Sequence, residues 1–425
     1  MSPIFSLRKV ALQTLTFLCF FPYPSVFNLG ENTGVQLNQA IAMLIFVFAL
    51  PMILRSRSTL AFILLLLPVL VSLTALSVFG ANNDSALGVR AALTVCFALL
   101  ILPVAGLLMR DVPLEWLVKP VSLAICIHAA AGASQLWSFS HGSFPFFDLF
   151  QNPSFADLQA ISSEYATYVK RPFGLFPEPS AMAAAIGPWV LFLFWYGLRP
   201  GATLRTLALA GTVAGTGLIL FSQTLYSMFL LLGGFLILLA YRRSSPRRFS
   251  PQEFFMWSLA GLSVLLLPVI SDGRISAVGN DSSQLRFRSI VEGLSQPFDN
   301  LGSLLLGAGP GQSAQILADQ DTGLGAIYSI VVLVFAEGGL IALAAMVGVL
   351  GMCIRTRERR FPSALLIGWV AGVAFSTSYV ALSPIWLFLA MMIEVGHKNA
   401  NHSRYPELGA GRSRTSPRFS GTGST

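Results

Sequence analysis

Apolar runs of about twenty residues, the length that crosses a bilayer as a helix, recur along this chain and leave few folds open to it. They cover Val10 to Phe27, Leu37 to Leu54, Leu60 to Phe79, Leu87 to Met109, Val121 to Trp137 and Pro179 to Leu198. Thr206 to Ala240 is too long for one ordinary crossing, and the polar break Ser222-Gln-Thr224 divides it into two. Phe254 to Ile270 and Ala326 to Ile354 follow, and Ser376-Thr-Ser378 with Pro384 divides the last apolar region into two short spans. Charged residues make up 11% of the chain, against about 25% in soluble domains. Barrel strands would be about ten residues long and alternating, which these runs are not. The fold class expected is all-α: a polytopic membrane protein of about 12 transmembrane helices.

Basic residues orient the spans. With the N-terminus inside, the internal segments hold 21 of the 27 Lys and Arg, and Arg90, Lys170, Arg171, Arg274, Arg286 and Arg288 fall outside. Such a bias is the positive-inside pattern. It explains the net charge of +8 without nucleic acid. Both termini are then cytoplasmic, and two long loops, about 138–178 and 271–325, are external. Residues 1–397 form one transmembrane domain, and 398–425, rich in Gly, Ser and Arg, read as a disordered cytoplasmic tail. The first apolar run lacks a small-residue cleavage site and is expected to remain as an anchor. Cys19, Cys96, Cys126 and Cys353 lie in apolar runs without a CxxC pair, so they read as reduced packing residues.

Between the first loop and the sixth span stands Arg171-Pro-Phe-Gly-Leu-Phe-Pro-Glu-Pro-Ser180. Its three prolines fix much of the backbone and bias Arg171, Phe176 and Glu178 away from helix. A rigid, charged segment at a membrane surface reads as a prepared site. Upstream, Ser154 and Asp157 have capping-box-like spacing, and Phe155, Leu158, Ile161, Tyr165 and Tyr168 follow at helical intervals. They predict an amphipathic helix on the outer leaflet, or one plugging the bundle.

In the second loop, Phe287, Ile290, Val291 and Leu294 predict one apolar helix face. Arg286 then points elsewhere, while Arg288 and Glu292 are spaced to pair. Gly307-Ala-Gly-Pro-Gly311 is either a phosphate cradle, with Gly309 and Gly311 offering N–H groups, or a hinge. His128 reads as a hydrogen-bonded packing residue within a span, and His141 as an external group able to titrate near neutrality. The sequence has no HExxH, Walker, GxSxG or Asp-rich metal motif, which argues against ATP-driven transport and zinc or serine hydrolysis. Neither a metal nor a cofactor is expected.

Arg171-x-x-Gly174-x-Phe176-x-Glu178-Pro179-Ser180 resembles the R-x-x-G-x-F-x-E-P-S signature of Wzy-type O-antigen and exopolysaccharide polymerases. Gly307-x-Gly309-x-Gly311 followed by Ala336-Glu337-Gly338-Gly339 is similar to a second landmark of the wider polymerase and O-antigen ligase superfamily. The resemblance runs from about span six to span ten. It implies a GT-C-like glycosyltransferase of the bacterial inner membrane, with short amphipathic helices in its periplasmic loops. Such an enzyme joins undecaprenyl-diphosphate-linked oligosaccharide repeat units in the periplasm, beside a flippase and a chain-length regulator. Ligases usually carry a histidine shortly after the glycine segment, where this chain reads Gly325-Ala-Ile-Tyr-Ser-Ile330, so polymerase is the expected activity and an O-antigen ligase-type glycosyltransferase the alternative. Under that resemblance Arg171 and Arg286, then Lys170, Arg274 and Arg288, meet the diphosphate. Glu178 takes the proton of the attacking hydroxyl, orients the sugar, or pairs with Arg171. Tyr165 and Tyr168 stack on sugar or anchor their helix, with His141 as a further sugar contact. A transporter or flippase is the alternative of another class. Its buried midplane charges are almost missing here, Glu337 and Glu394 being the candidates.

Overall fold

In hydrocarbon, backbone N–H and C=O groups must be satisfied within the chain, and an apolar run does so as a helix. The computed structural model describes residues 3–28, 34–79, 85–110, 112–143, 145, 171–222, 224–243, 288–313, 317, 327–357, 362–375 and 379–394. Helices there are α1 (Pro3–Cys19), α2 (Leu37–Ile53), α3 (Arg57–Phe79), α4 (Ser85–Leu99), α5 (Ile101–Met109), α6 (Glu115–Ser140) and α7 (Pro179–Gly197). They continue as α8 (Arg205–Phe221), α9 (Leu225–Arg243), the short α10 (Leu301–Leu306), α11 (Ile330–Arg357), α12 (Ser363–Phe375) and α13 (Ser383–Glu394). Among the described residues, five helices are long and apolar enough to cross a membrane, and five shorter apolar helices accompany them. The expected ninth span (254–270), the amphipathic helix about 154–168 and the tail from 398 lie outside the described residues.

The predicted breaks at Ser222–Thr224 and before Pro384 both separate helices. The first span differs from its expectation. Its helix starts at Pro3 and stops at Cys19, because Pro22 and Pro24 bring no N–H and push their predecessors out of helix. Ser25–Asn28 instead pairs antiparallel with Gly34–Gln36, matching Phe27 with Val35 and Asn28 with Gly34. That small ribbon departs from a purely helical chain. Gln36 then ties it to the bundle, donating from Nε2 to Ala381 O (3.0 Å).

Two helices form the centre. The most apolar stretch of α7 is 83% buried, against 33% for that of α3, and each residue of α13 is buried. A helix apolar on all sides belongs inside. Trp189 of α7 meets Phe388 of α13 edge-on at 5.1 Å and donates from its indole to Pro384 O (3.1 Å). Around them α8 packs on α6 and α7, α12 on α7, α5 on α13, and α3 on α11. Polar clamps secure helix ends. Glu394 accepts from the Ser58 amide (2.8 Å) and hydroxyl (2.9 Å), satisfying first-turn donors of α3. Arg8 donates to Leu107 O (2.8 Å) and Leu108 O (3.1 Å) at the carbonyl end of α5.

Candidate functional site

Residues 171–180 enter between α6 and α7 and are held by two polar side chains of α6. Gln135 Oε1 accepts from the amides of Phe173 and Gly174 (2.9 Å each), and its Nε2 donates to Gly174 O (2.7 Å). Two turns earlier on the same helix, His128 Nδ1 accepts from the Leu175 amide (3.1 Å). Its Nε2 lies 2.8 Å from Phe20 O, a partner that can only accept. The ring is therefore neutral with the proton on Nε2. His128 thus joins the end of α1 to the segment as the hydrogen-bonded packing residue expected, stacked on Phe21 at 5.1 Å and set against Phe176 at 4.6 Å.

Gly174 has φ +61°, and a Cβ there would stand 3.0 Å from both His128 Nδ1 and His128 O. The glycine of the motif is required twice over, by a left-handed backbone and by the imidazole pressed against it. Phe173 and Phe176 are fully buried. The segment is packed into the molecule. Its two phenylalanines insert into the bundle under His128 and Gln135, while Arg171 stays half-buried.

Glu178 ends the segment at φ −153°, ψ 164° and begins α7, its carbonyl accepting from the Met182 amide (3.0 Å). Pro179 occupies the first helical position, where a missing N–H costs nothing. The Glu178 side chain is 6% exposed, and its carboxylate accepts from the Ser180 hydroxyl. Tyr23, between α1 and the strand Ser25–Asn28, feels this charge. Burial first, and the negative charge of Glu178 second, push its phenol well above its ordinary value. A carboxylate in this position is fixed by its backbone and held by a hydroxyl, and it borders a neutral phenol. It can accept a proton or orient a polar substrate.

His141 caps α6, with Nδ1 2.8 Å from Trp137 O, and its ring stands against the exposed Trp137 at 4.6 Å. Together they form a small aromatic ledge. Lys170, Tyr165, Tyr168, Arg274 and Arg286 lie outside the described residues. Residues 288–295 are helical, with Arg288 exposed, and Arg288 and Glu292 do not pair. Of the predicted apolar face, Phe287 lies outside the described residues and Ile290 packs half-buried against Leu317, Ile327, Val332 and Ala336. Val291 and Leu294 are exposed (48% and 42%), whereas Ser289 and Gly293 face inward. The Tyr328 amide donates to Ser289 Oγ (3.2 Å), and a Cβ on Gly293 would strike Ile327 and Val332 at 2.8 Å. Close approach of the chain around 327–332 selects the small residues over the apolar ones.

The glycine loop sits on other helices. Its left-handed positions Gly307, Gly309 and Gly311 (φ +72°, +99° and +75°) lie against α3, α4 and α11. The cradle expected of Gly309 and Gly311 is corrected here, since both amides are already engaged within the chain. Gly309 donates to Glu337 O (3.0 Å), and the Gly311 amide donates to the Glu337 carboxylate. Among the described residues no cluster of His, Cys, Asp or Glu is placed to hold a metal, and the four cysteines are free thiols.

Sequence reasoning chose Arg171, Gly174 and Glu178, held Ser180 only as a motif member without a role, missed Gln135 and Tyr23, and gave His128 no part in the site. A usable signal for the first was the spacing of His128 and Gln135, two turns apart on one face of an apolar helix. No protein-family model matches the chain, and no curated protein matches it.

Proposed function

We propose that this chain is a membrane glycosyltransferase, a polysaccharide polymerase that joins undecaprenyl-diphosphate-linked oligosaccharide units at the periplasmic face of a bacterial inner membrane. The observation that carries the reading is Glu178. It is a buried carboxylate fixed between two prolines at the mouth of a central helix, on a segment that starts with a half-buried arginine. In the reaction, a hydroxyl of one lipid-linked unit attacks the anomeric carbon of another. The bond from that carbon to the phosphate oxygen breaks, its electron pair leaves with undecaprenyl diphosphate, and the hydroxyl proton passes to Glu178. Negative charge grows on the diphosphate, and arginine's fork matches phosphate oxygens. Arg171 and Arg286 take that role, supported by Lys170, Arg274 and Arg288. The Trp137–His141 ledge, with Tyr165 and Tyr168, offers faces for sugar rings.

The proposal includes about 12 spans, cytoplasmic termini and two periplasmic loops, with a flippase and a chain-length regulator as working partners. The test is polymer formation in cells, with the protein's membrane level measured alongside. Arg171→Ala and Arg171→Lys are each expected to abolish polymer at normal protein level. Polymer of normal length from either refutes the diphosphate role. Loss of chain extension in Glu178→Gln fits the base. Activity kept by Gln but lost in Glu178→Ala assigns Glu178 to orientation alone.

A further inference from the structure

The glycine loop has the form of an anion-binding concavity, and the carboxyl group of Glu337 already occupies it. Glu337 Oε1 accepts from the Ser313 hydroxyl at 2.7 Å, and its carboxylate also accepts from the backbone amides of Gly311 and Ser313. Two further strands of contact fix the same pair of segments. Ala308 donates to Ala336 O (2.8 Å) and Gly309 to Glu337 O (3.0 Å). Gly307 donates to Ser303 O (2.8 Å) and Gln312 to Gly309 O (3.3 Å), so the amides of 307–309 and 311–313 all have partners within the chain.

Helix α11 is shaped to receive the loop. It breaks at Gly339 (φ +63°, ψ −162°), where a Cβ would come 2.4 Å from Leu305 O. A Cβ on Gly307 would lie 2.2 Å from the Glu337 carbonyl carbon. The two backbones touch, and only glycines allow it. The other side of Glu337 borders a cavity of about 70 Å³ that is otherwise nearly all apolar, lined by Leu65, Val69, Leu333 and Trp386 among others. A carboxylate beside such a lining needs fixed donors.

The geometry points to the Glu337 carboxyl group as the resident of the 307–313 loop, in the place that a phosphate takes in other glycine nests. The loop is then a latch that seals residues 305–313 onto the break in α11, and it is not a contact for a substrate diphosphate. Glu337 is a positioning residue. This inference stands apart from the proposed glycosyl transfer, and its test reads no activity.

The experiment uses the full chain purified in nanodiscs. Hydrogen exchange at the amides of Gly311 and Ser313 is compared between wild type and Glu337→Gln, which keeps the size and removes the charge. Exchange about tenfold faster or more in the variant is expected, as the charge-assisted bonds weaken. Unchanged exchange overturns the latch, and this arm decides the matter even where Glu337→Ala does not fold. In folded Glu337→Ala the nest is empty, so formate is expected to raise its thermal midpoint and leave that of wild type alone. Formate that shifts both proteins equally, or neither, refutes the anion nest.

Discussion

Replacing Gln135 with leucine keeps the volume of the side chain and deletes its three hydrogen bonds to the backbone of 173–174. Each such bond contributes about 1 kcal/mol net, and each buried group left unpaired costs about 1–3 kcal/mol. Loss of the three bonds therefore favours detachment of the segment by about 3 kcal/mol, a shift of roughly a hundredfold in its opening equilibrium. Hydrogen exchange reports that equilibrium directly. Pro172 and Pro177 have no amide, so the segment is read at Phe173, Gly174, Leu175 and Phe176. In Gln135→Leu these amides are expected to exchange about a hundred times faster, while those of the buried helix α13 keep their wild-type rates. A folded Gln135→Leu protein with unchanged exchange at 173–175 refutes the claim that α6 holds the segment. Polymer yield should fall with the protection. Yield that falls while protection stays intact would place Gln135 in the chemistry itself.

Gly174→Ala forces a side chain into a left-handed backbone and against the imidazole of His128. A loss of about 1–3 kcal/mol is expected in denaturant unfolding, with faster exchange at Leu175, and an equally stable variant argues against the fit. For Tyr23 the shift is upward, so the folded protein holds this proton more tightly than the unfolded chain. The associated stability is intact below the ordinary tyrosine value of 10.0. It declines as pH rises from there toward the higher folded value. Phenolate absorbance should show one tyrosine titrating late in wild type and missing from Tyr23→Phe, whose stability should fall less steeply at alkaline pH. A full complement titrating near the ordinary value rules out the buried phenol beside Glu178.

The apolar runs foretold most helices because hydrocarbon-compatible backbone has one solution at that length, and their polar interruptions foretold where helices part, as at Ser222–Thr224. They misplaced α1 because hydrophobicity continues to Phe27 although Pro22 and Pro24 end the helix. In the site, Arg171, Gly174 and Glu178 were legible from type and spacing. The spacing of His128 and Gln135 on one helix face marked them as a pair, but not what they hold, since their partners are backbone groups 38–47 residues further on. The helix 288–295 shows the same limit: it turns inward by size, with Ser289 and Gly293 facing in because another stretch of chain comes too close for a larger group. Local pattern reports what a helix would bury alone, and not which neighbour arrives.

The burial of α13 bears on how the molecule is assembled during synthesis. This helix is made after every other described one, yet it occupies the middle, touching α5 and α7 and closing the first turn of α3 through Glu394 and Ser58. Helices that leave the ribosome hundreds of residues earlier therefore enter the membrane around a place still empty. Until residues 383–394 arrive, the indole of Trp189 lacks its carbonyl partner and the first turn of α3 its acidic cap. Completion is set by the late stretch, and a ribosome stalled before it would leave a bundle with its centre missing.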